Sequence, residues 1–207
     1  MGRNTNMDFI NSEFGDVEVC EAVRKYNGTG IFTYADYEKW DDGIRYELID
    51  GNAYMMSAPT APHQSILGEL YVQLAIYLKG KPCKVFLAPF DVCLDGLGDK
   101  SKIVVQPDVL VICKKSILEK KRCNGAPDMV IEILSPSTSK MDLFIKLVKY
   151  LKAGVREYWI VNPDTEIVNV HILENGQYVI KSYKNDDTIA VTVLDGCNIT
   201  LPDVFEF

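Results

Sequence analysis

Two acidic residues set inside runs that otherwise read as buried strands constrain this chain more than any other feature. Asp108 stands in Val104-Val105-Gln106-Pro107-Asp108-Val109-Leu110-Val111-Ile112, and Glu132 in Asp128-Met129-Val130-Ile131-Glu132-Ile133-Leu134. Both runs are rich in Val and Ile, have strand length and are bounded by Pro, Gly, Asn or charge, so each is predicted to be a strand. Taking an ionised carboxylate out of water costs several kcal/mol unless a cation or hydrogen-bond donors compensate. Two such groups on neighbouring strands therefore point to a shared cation.

The next segment supplies a third charged group. A helix is predicted over 140–153, with Ser139 as N-cap, Asp142 in the first turn and Gly154 as the stop. Leu143, Phe144, Leu147, Val148 and Leu151 make one apolar stripe, and Lys140, Lys149 and Lys152 fall away from it. At about 100° per residue, Lys146 lies on the flank of that stripe beside Leu143 and Tyr150, nearer the expected core than the other lysines. Glu157-Tyr158-Trp159-Ile160-Val161 then returns as a strand. The resulting strand–helix–strand unit is expected to be right-handed, and it lets Asp, Glu and a semi-buried Lys converge at one end of a sheet.

With 207 residues, 47% hydrophobic and 25% charged, the chain suits one buried core, predicted over 32–207. Residues 1–31 show no sustained periodicity and are read as an N-terminal extension. The six cysteines include no Cys-x-x-Cys and the two histidines are too few for a zinc site of ordinary spacing. Reduced thiols in a reducing compartment are expected. A polar amino terminus and the lack of a membrane-length apolar run predict a soluble, cytoplasmic protein with no membrane partner. The net charge of −7 argues against indiscriminate nucleic-acid binding, yet residues 100–160 hold ten Lys and two Arg against six Asp and Glu. Such a basic part of an acidic protein suits an anionic substrate; a solvated lysine-rich surface is the alternative.

Elsewhere the pattern predicts a short helix over 34–40 capped by Thr33, and a hairpin of 45–49 and 52–56 about Asp50-Gly51, with Glu47 in its first strand. A helix over 62–79 carries His63 on its apolar face and Glu69 and Gln73 on its flank. A strand over 84–94 and a turn over 95–99 follow; the turn lacks the Lys and Ser/Thr of a phosphate loop. The basic stretch 114–126 is expected to be a short helix or loop. A second hairpin, 167–173 and 178–183, turns at Asn175-Gly176 and carries His171 as a surface or edge residue. A further strand is expected over 187–194, with 199–207 closing the domain.

Taken in order, Gln106-Pro107-Asp108-Val109, the run from Asp128 through Glu132 to Ser135-Pro136-Ser137-Thr138, Lys146-Leu147 with Tyr150, Ala153-Gly154-Val155 and Glu157-Tyr158-Trp159 closely resemble the Uma2 family. The resemblance extends upstream through Tyr46-Glu47-Leu48-Ile49-Asp50-Gly51 and Pro62-His63-Gln64 and downstream to Leu201-Pro202. It implies the restriction-endonuclease-like fold of the PD-(D/E)XK superfamily: an α/β (α+β mixed) fold with a mixed β-sheet flanked by helices and extra β-hairpins. It also implies a metal-dependent endonuclease acting on nucleic acid, DNA before RNA. Glu47 becomes a further candidate carboxylate of the metal site and His63 a further candidate catalytic residue. Glu69 competes with Glu47, because other branches of the superfamily take an acid from their first core helix. The superfamily's lysine, two residues after the acid, is absent here, since that position is Leu134. The resemblance therefore implies a migrated lysine, Lys146.

Carboxylates suit a hard cation, Mg²⁺ or Mn²⁺, better than cysteine or histidine would. Asp108, Glu132 and Glu47 are its candidate ligands, and Lys146 is placed to orient a water or meet developing negative charge. The competing reading is a non-catalytic module that binds nucleic acid or a protein, with the same residues in an ion-pair network. A homodimer would let two sites address two strands.

Overall fold

The computed structural model describes residues 31–135 and 141–206, with the backbone alone over 141–143. The expected extension, apart from Ile31, lies outside these residues, as do Ser139, Lys140 and the side chain of Asp142.

The chain opens with a one-turn helix, α1 (Tyr34–Tyr37), shorter than predicted, whose Thr33 backbone N–H donates to Asp36 Oδ2 at 2.9 Å. Strands β1 (Tyr46–Ile49) and β2 (Asn52–Met55) pair across the predicted turn, where Asp50 and Gly51 both have positive φ, 53° and 81°. Helix α2 (Ala61–Leu78) is capped by Thr60 and buries Ile66, Leu67, Leu70, Leu74 and Leu78.

The next two predicted strands are each cut in two. The first becomes β3 (Lys84–Leu87) and β4 (Asp91–Cys93), and the second becomes β5 (Val104–Val105) and β6 (Val109–Ile112). Pro89 and Pro107 stand at the cuts, where a residue without an N–H cannot continue the ladder. β3 pairs with β6 in one sheet and β4 with β5 in another, and Ala88 N donates to Asp108 O at the bend. An antiparallel ribbon thus passes from sheet to sheet, and Asp108 occupies its corner rather than a strand interior.

Strands β7 (Arg122–Asn124), β8 (Met129–Ile133), β9 (Glu157–Asn162), β10 (Ile167–Glu174) and β11 (Gln177–Lys184) complete two sheets, ordered β2-β1-β5-β4-β7 and β11-β10-β9-β8-β6-β3. The β8–β9 pair is parallel and its neighbours are antiparallel, so the larger sheet is mixed. Period-two alternation divides its side chains between two layers. Val109, Val111, Ile131, Ile133 and Trp159 pack with α2, whereas Leu110, Val130, Tyr158 and Ile160 pack with Ile49, Val92 and Val105 of the smaller sheet. Each such aliphatic side chain contributes about 2 kcal/mol on burial. Glu132 follows the second set and faces the smaller sheet.

Between β8 and β9 the predicted helix is a π-helical segment, Met141–Lys146, followed by α3 (Leu147–Ala153) with Gly154 in the left-handed region at its end. The expected apolar stripe does not form the buried face. Phe144 and Val148 are exposed and Leu147 and Leu151 half-buried, while Lys146 and Tyr150, four residues apart, point inward. Lys149, expected to face solvent, pairs instead with Asp50.

Other expectations are corrected too. The basic stretch holds a 3₁₀ turn, Lys115–Ile117, and the unpredicted strand β7. Two of its five cations are paired, Arg122 with Asp99 and Glu119 and Lys121 with Glu38. Cys83 and Cys113, one step beyond the β3–β6 pairing, form a disulfide, against the expectation of reduced thiols; Cys93, Cys123 and Cys197 are free and buried. His171 is buried, with Nδ1 at 3.2 Å from Tyr158 O and its ring among Tyr158 and Tyr178, because β10 is covered on both faces. Only β12 (Thr188–Ala190) forms within 187–194; it pairs with β13 (Asn198–Thr200), and a short helix, α4 (Leu201–Val204), follows. Among the described residues no helix is long and apolar enough to cross a membrane.

Candidate active site

The corner between the sheets opens into a cavity of about 190 Å³ lined by Glu47, His63, Asp108, Glu132 and Lys146, the five residues singled out from the sequence. Four elements and the ribbon corner deliver them. β1 contributes Glu47 and α2 contributes His63, β8 contributes Glu132, and the π-helical segment ends at Lys146. Asp108 comes from the ribbon corner, one register step beyond the Val109–Ile131 pair and hence beside Glu132.

Lys146 is 3% exposed, and its ammonium lies between two buried carboxylates, 2.9 Å from Glu132 Oε1 and 3.0 Å from Glu47 Oε2. The two acids reach it from opposite sheets. Glu47 lies on the inward face of β1 with Ile49, and Glu132 on the facing side of β8. Buried charges of this kind persist only when paired and hydrogen-bonded. The remaining Glu47 oxygen, Oε1, accepts the Gln106 backbone N–H at 2.8 Å, and Glu132 Oε1 also accepts the Tyr150 hydroxyl at 2.6 Å. Burial, and then the charges of Glu132 and Glu47, push the Tyr150 phenol well above its ordinary range, so it remains a donor.

Asp108 is held separately. Its Oδ2 accepts the Ile133 backbone N–H at 2.8 Å and lies 3.2 Å from His63 Nε2. Its Oδ1 makes no hydrogen bond among the described residues. His63 Nδ1 is buried without a partner there, and Nε2 is the ring nitrogen turned to Asp108. Glu69, the competitor of Glu47, lies outside the cavity, where it accepts from Gln73.

Sequence reasoning passed over Arg45, which also lines the cavity and donates to Gln106 Oε1 from Nε at 3.0 Å and from a terminal nitrogen at 2.8 Å. Strand alternation carries a signal for it, since Arg45 is two residues from Glu47 and shares its side of the strand. Gln106 stands in the sequence only as part of the Gln106-Pro107-Asp108-Val109 motif. Through its backbone it holds Glu47, and through its side chain it joins Arg45, Tyr37 and Asp91.

The donor set fits a hard cation in part. Asp108 and Glu132 offer oxygen ligands side by side, with Asp108 Oδ1 uncommitted, and Mg²⁺ is commonly held by one or two carboxylates with waters completing its shell. Among the described residues no three His, Cys, Asp or Glu side chains are gathered as a ready metal cage. Glu47 has both oxygens engaged, which suits it to hold Lys146.

A solved structure titled "Crystal structure of a putative nuclease belonging to DUF820 from Anabaena variabilis" superposes with a TM-score of 0.68 over 84% of this chain and 97% of that one, at 23% identity. The fold is accordingly the mixed α/β, restriction-endonuclease-like one. In sequence the chain is 25% identical over 158 residues to "Uncharacterized protein slr1290" of Synechocystis, covering 74% of this chain and 81% of that protein. The sequence model of Uma2, described as "Putative restriction endonuclease", matches residues 34–202. That span takes in every residue of the cavity described above, and the chain belongs to the Uma2 family.

Proposed function

We propose that this protein is a metal-dependent nuclease that hydrolyses phosphodiester bonds of nucleic acid, DNA in the first instance. The observation that carries the reading is the meeting of Asp108, Glu132 and Lys146 in one cavity at a sheet corner. The family's description and its match over most of the chain support it. Asp108 and Glu132 would hold Mg²⁺ or Mn²⁺, which when bound supplies Lewis-acid polarisation of a phosphate oxygen and a water of lowered pKa. His63 and the Ile133 N–H orient Asp108. Glu47 and Tyr150 brace the Lys146–Glu132 pair, and the Lys146 ammonium orients a water or meets negative charge developing on the phosphate. Arg45 adds a second cation to the cavity wall.

The test is a Mg²⁺ and Mn²⁺ titration with plasmid, linear duplex and single-stranded DNA, run beside Asp108→Ala and Glu132→Ala. Wild type is expected to cleave only with metal, and the metal should raise its melting temperature by mass action, about 2.7 kcal/mol of stabilisation at a hundredfold excess over Kd. Both variants should lose cleavage and the thermal shift. A metal shift that survives in both would give the carboxylates another role.

A second reading has its own observation. Lys146 already bridges Glu47 and Glu132, as in a self-sufficient ion-pair network. On that reading the protein is an inactive nuclease-fold module that binds nucleic acid or a protein partner. Saturable DNA binding with neither metal shift nor cleavage would favour it.

A further inference from the structure

The two fixed cations of the candidate active site are employed differently. Lys146 is spent inside the protein, its ammonium held between Glu132 Oε1 at 2.9 Å and Glu47 Oε2 at 3.0 Å. The half-buried Arg45 has no carboxylate partner among the described residues. Its guanidinium donates there to a neutral group, the amide oxygen of Gln106, from Nε at 3.0 Å and from Nη2 at 2.8 Å. That amide is itself fixed in orientation. Its nitrogen donates to Tyr37 Oη and to Asp91 Oδ1, each at 2.9 Å, and a carboxylate can only accept, so the oxygen is the atom turned to Arg45. Arg45 is thus aimed without being neutralised; a carboxylate in place of Gln106 would have cancelled its charge.

A guanidinium carries five N–H donors, and Gln106 takes two of them on the edge made by Nε and Nη2. The edge made by Nη1 and Nη2 remains, with one N–H from each nitrogen lying parallel, the fork that matches two oxygens of a phosphate. Nη1 makes no hydrogen bond among the described residues and is not sealed from solvent. The charge of the wall gives this fork a use. Among the described lining residues Glu47, Asp108 and Glu132 stand against Lys146 and Arg45, which leaves one negative charge. One divalent cation would make it one positive charge, the complement of a phosphodiester. Arg45 stands two residues, about 7 Å of extended chain, from Glu47 and bonds to none of Asp108, Glu132 and Lys146, the groups assigned to the phosphate that is cleaved.

We propose that Arg45 grips, with the free edge of its guanidinium, the backbone phosphate next to the one cleaved, and so sets where the strand lies across the cavity. The inference rests on the reading of the cavity as a nuclease site, which supplies the substrate.

The experiment measures binding of a labelled DNA duplex by fluorescence anisotropy over a range of salt. Ca²⁺, also a cation of oxygen ligands, replaces Mg²⁺ so that binding is read apart from turnover. The constants kcat and KM are taken separately with Mg²⁺. Arg45→Gln should bind about tenfold more weakly or worse, the scale of a lost hydrogen bond to a charged group. Its slope of log Kd against log salt should be shallower by about 0.9, the loss of one phosphate contact on duplex DNA. KM should rise with kcat unchanged, because the contact is made equally before and during reaction. The thermal shift given by Mg²⁺ should not diminish. Arg45→Lys should restore the slope and only part of the affinity, since it keeps the charge and loses the fork. A folded Arg45→Gln protein with wild-type affinity and slope, or one whose loss lies in kcat alone, would overturn the proposal and leave the nuclease reading standing. Wild type that neither binds nor cleaves DNA would remove that reading and the proposal with it. If Arg45→Gln does not fold, Arg45→Lys decides alone, and affinity equal to that of wild type would count against the fork.

Discussion

At the scale of single residues, Lys146 joins the two halves of the molecule, because its ammonium is shared by a carboxylate from each sheet. Its removal has two separable consequences. Lys146→Ala should cut metal-dependent turnover by about 10²-fold or more, the scale of a positioned acid–base or charge-stabilising group. It should also destabilise the fold by about 3–5 kcal/mol, since it strands two buried carboxylates. Adding Glu47→Gln removes one stranded charge, so the double variant should recover part of its urea midpoint while turnover stays low. If turnover returned with stability, Lys146 would be structural only. Lys152→Ala is the control, because Lys152 is exposed, whereas Lys149 is tied to Asp50; it should at most weaken DNA binding in a salt-dependent way.

At the scale of elements, the β1–β2 hairpin fixes where Glu47 points, and its turn is anchored to the neighbouring chain. Gly51 N donates to Lys102 O, Phe32 N donates to Gly51 O, and Gly51 has φ +81°. A Cβ there would come within 2.1 Å of Ile31 Cγ2 and 3.1 Å of Ile31 Cα. The β10–β11 turn offers the comparison, since Gly176 has φ +80° and nothing within 4 Å of an added Cβ. Gly176→Ala should therefore cost about 1 kcal/mol, the left-handed penalty alone. Gly51→Ala should cost about 2–4 kcal/mol, because steric displacement adds to it. Urea midpoints of the two variants check this; equal midpoints would mean that the Ile31 contact carries no energy.

At the scale of the whole molecule, buried polar groups on the β9–β10 side set a pH dependence unrelated to catalysis. Burial lowers the pKa of His171 below its ordinary value of 6.5, so the folded state resists a proton that the unfolded chain accepts. Its contribution is complete above about 6.5 and is lost as pH falls below that value. Glu157 works in the other direction. Burial raises its pKa, so it disfavours the folded state as pH rises above 4.5. Wild type should therefore lose stability relative to His171→Phe between about pH 7 and pH 5. Parallel melting curves against pH for the two proteins would exclude His171 as the source.

Much of this molecule is determined locally. The Val- and Ile-rich runs around Glu132 and Trp159 fold as the strands their composition predicts, because β-branched and aromatic side chains fit a pleated, covered surface. Asp50-Gly51 and Asn175-Gly176 turn where left-handed backbone is cheapest, and Thr60 starts α2 within a residue of its predicted place. The identity of the site residues was legible too, since a carboxylate in a buried run needs a partner wherever the run goes. What tertiary structure decided is how they meet. Pro89 and Pro107 break two predicted strands, but only the pairing of β3 with β6 and of β4 with β5 turns those breaks into one corner carrying Asp108. The helical wheel placed Lys146 near an apolar stripe; the π-helical segment and the facing carboxylates of Glu47 and Glu132 turned it fully inward and left Phe144 and Val148 exposed. Sequence period sets which side chains share a face. Which faces are covered depends on contacts between residues distant in the chain, as between Glu47 and Lys146, and no local pattern records those.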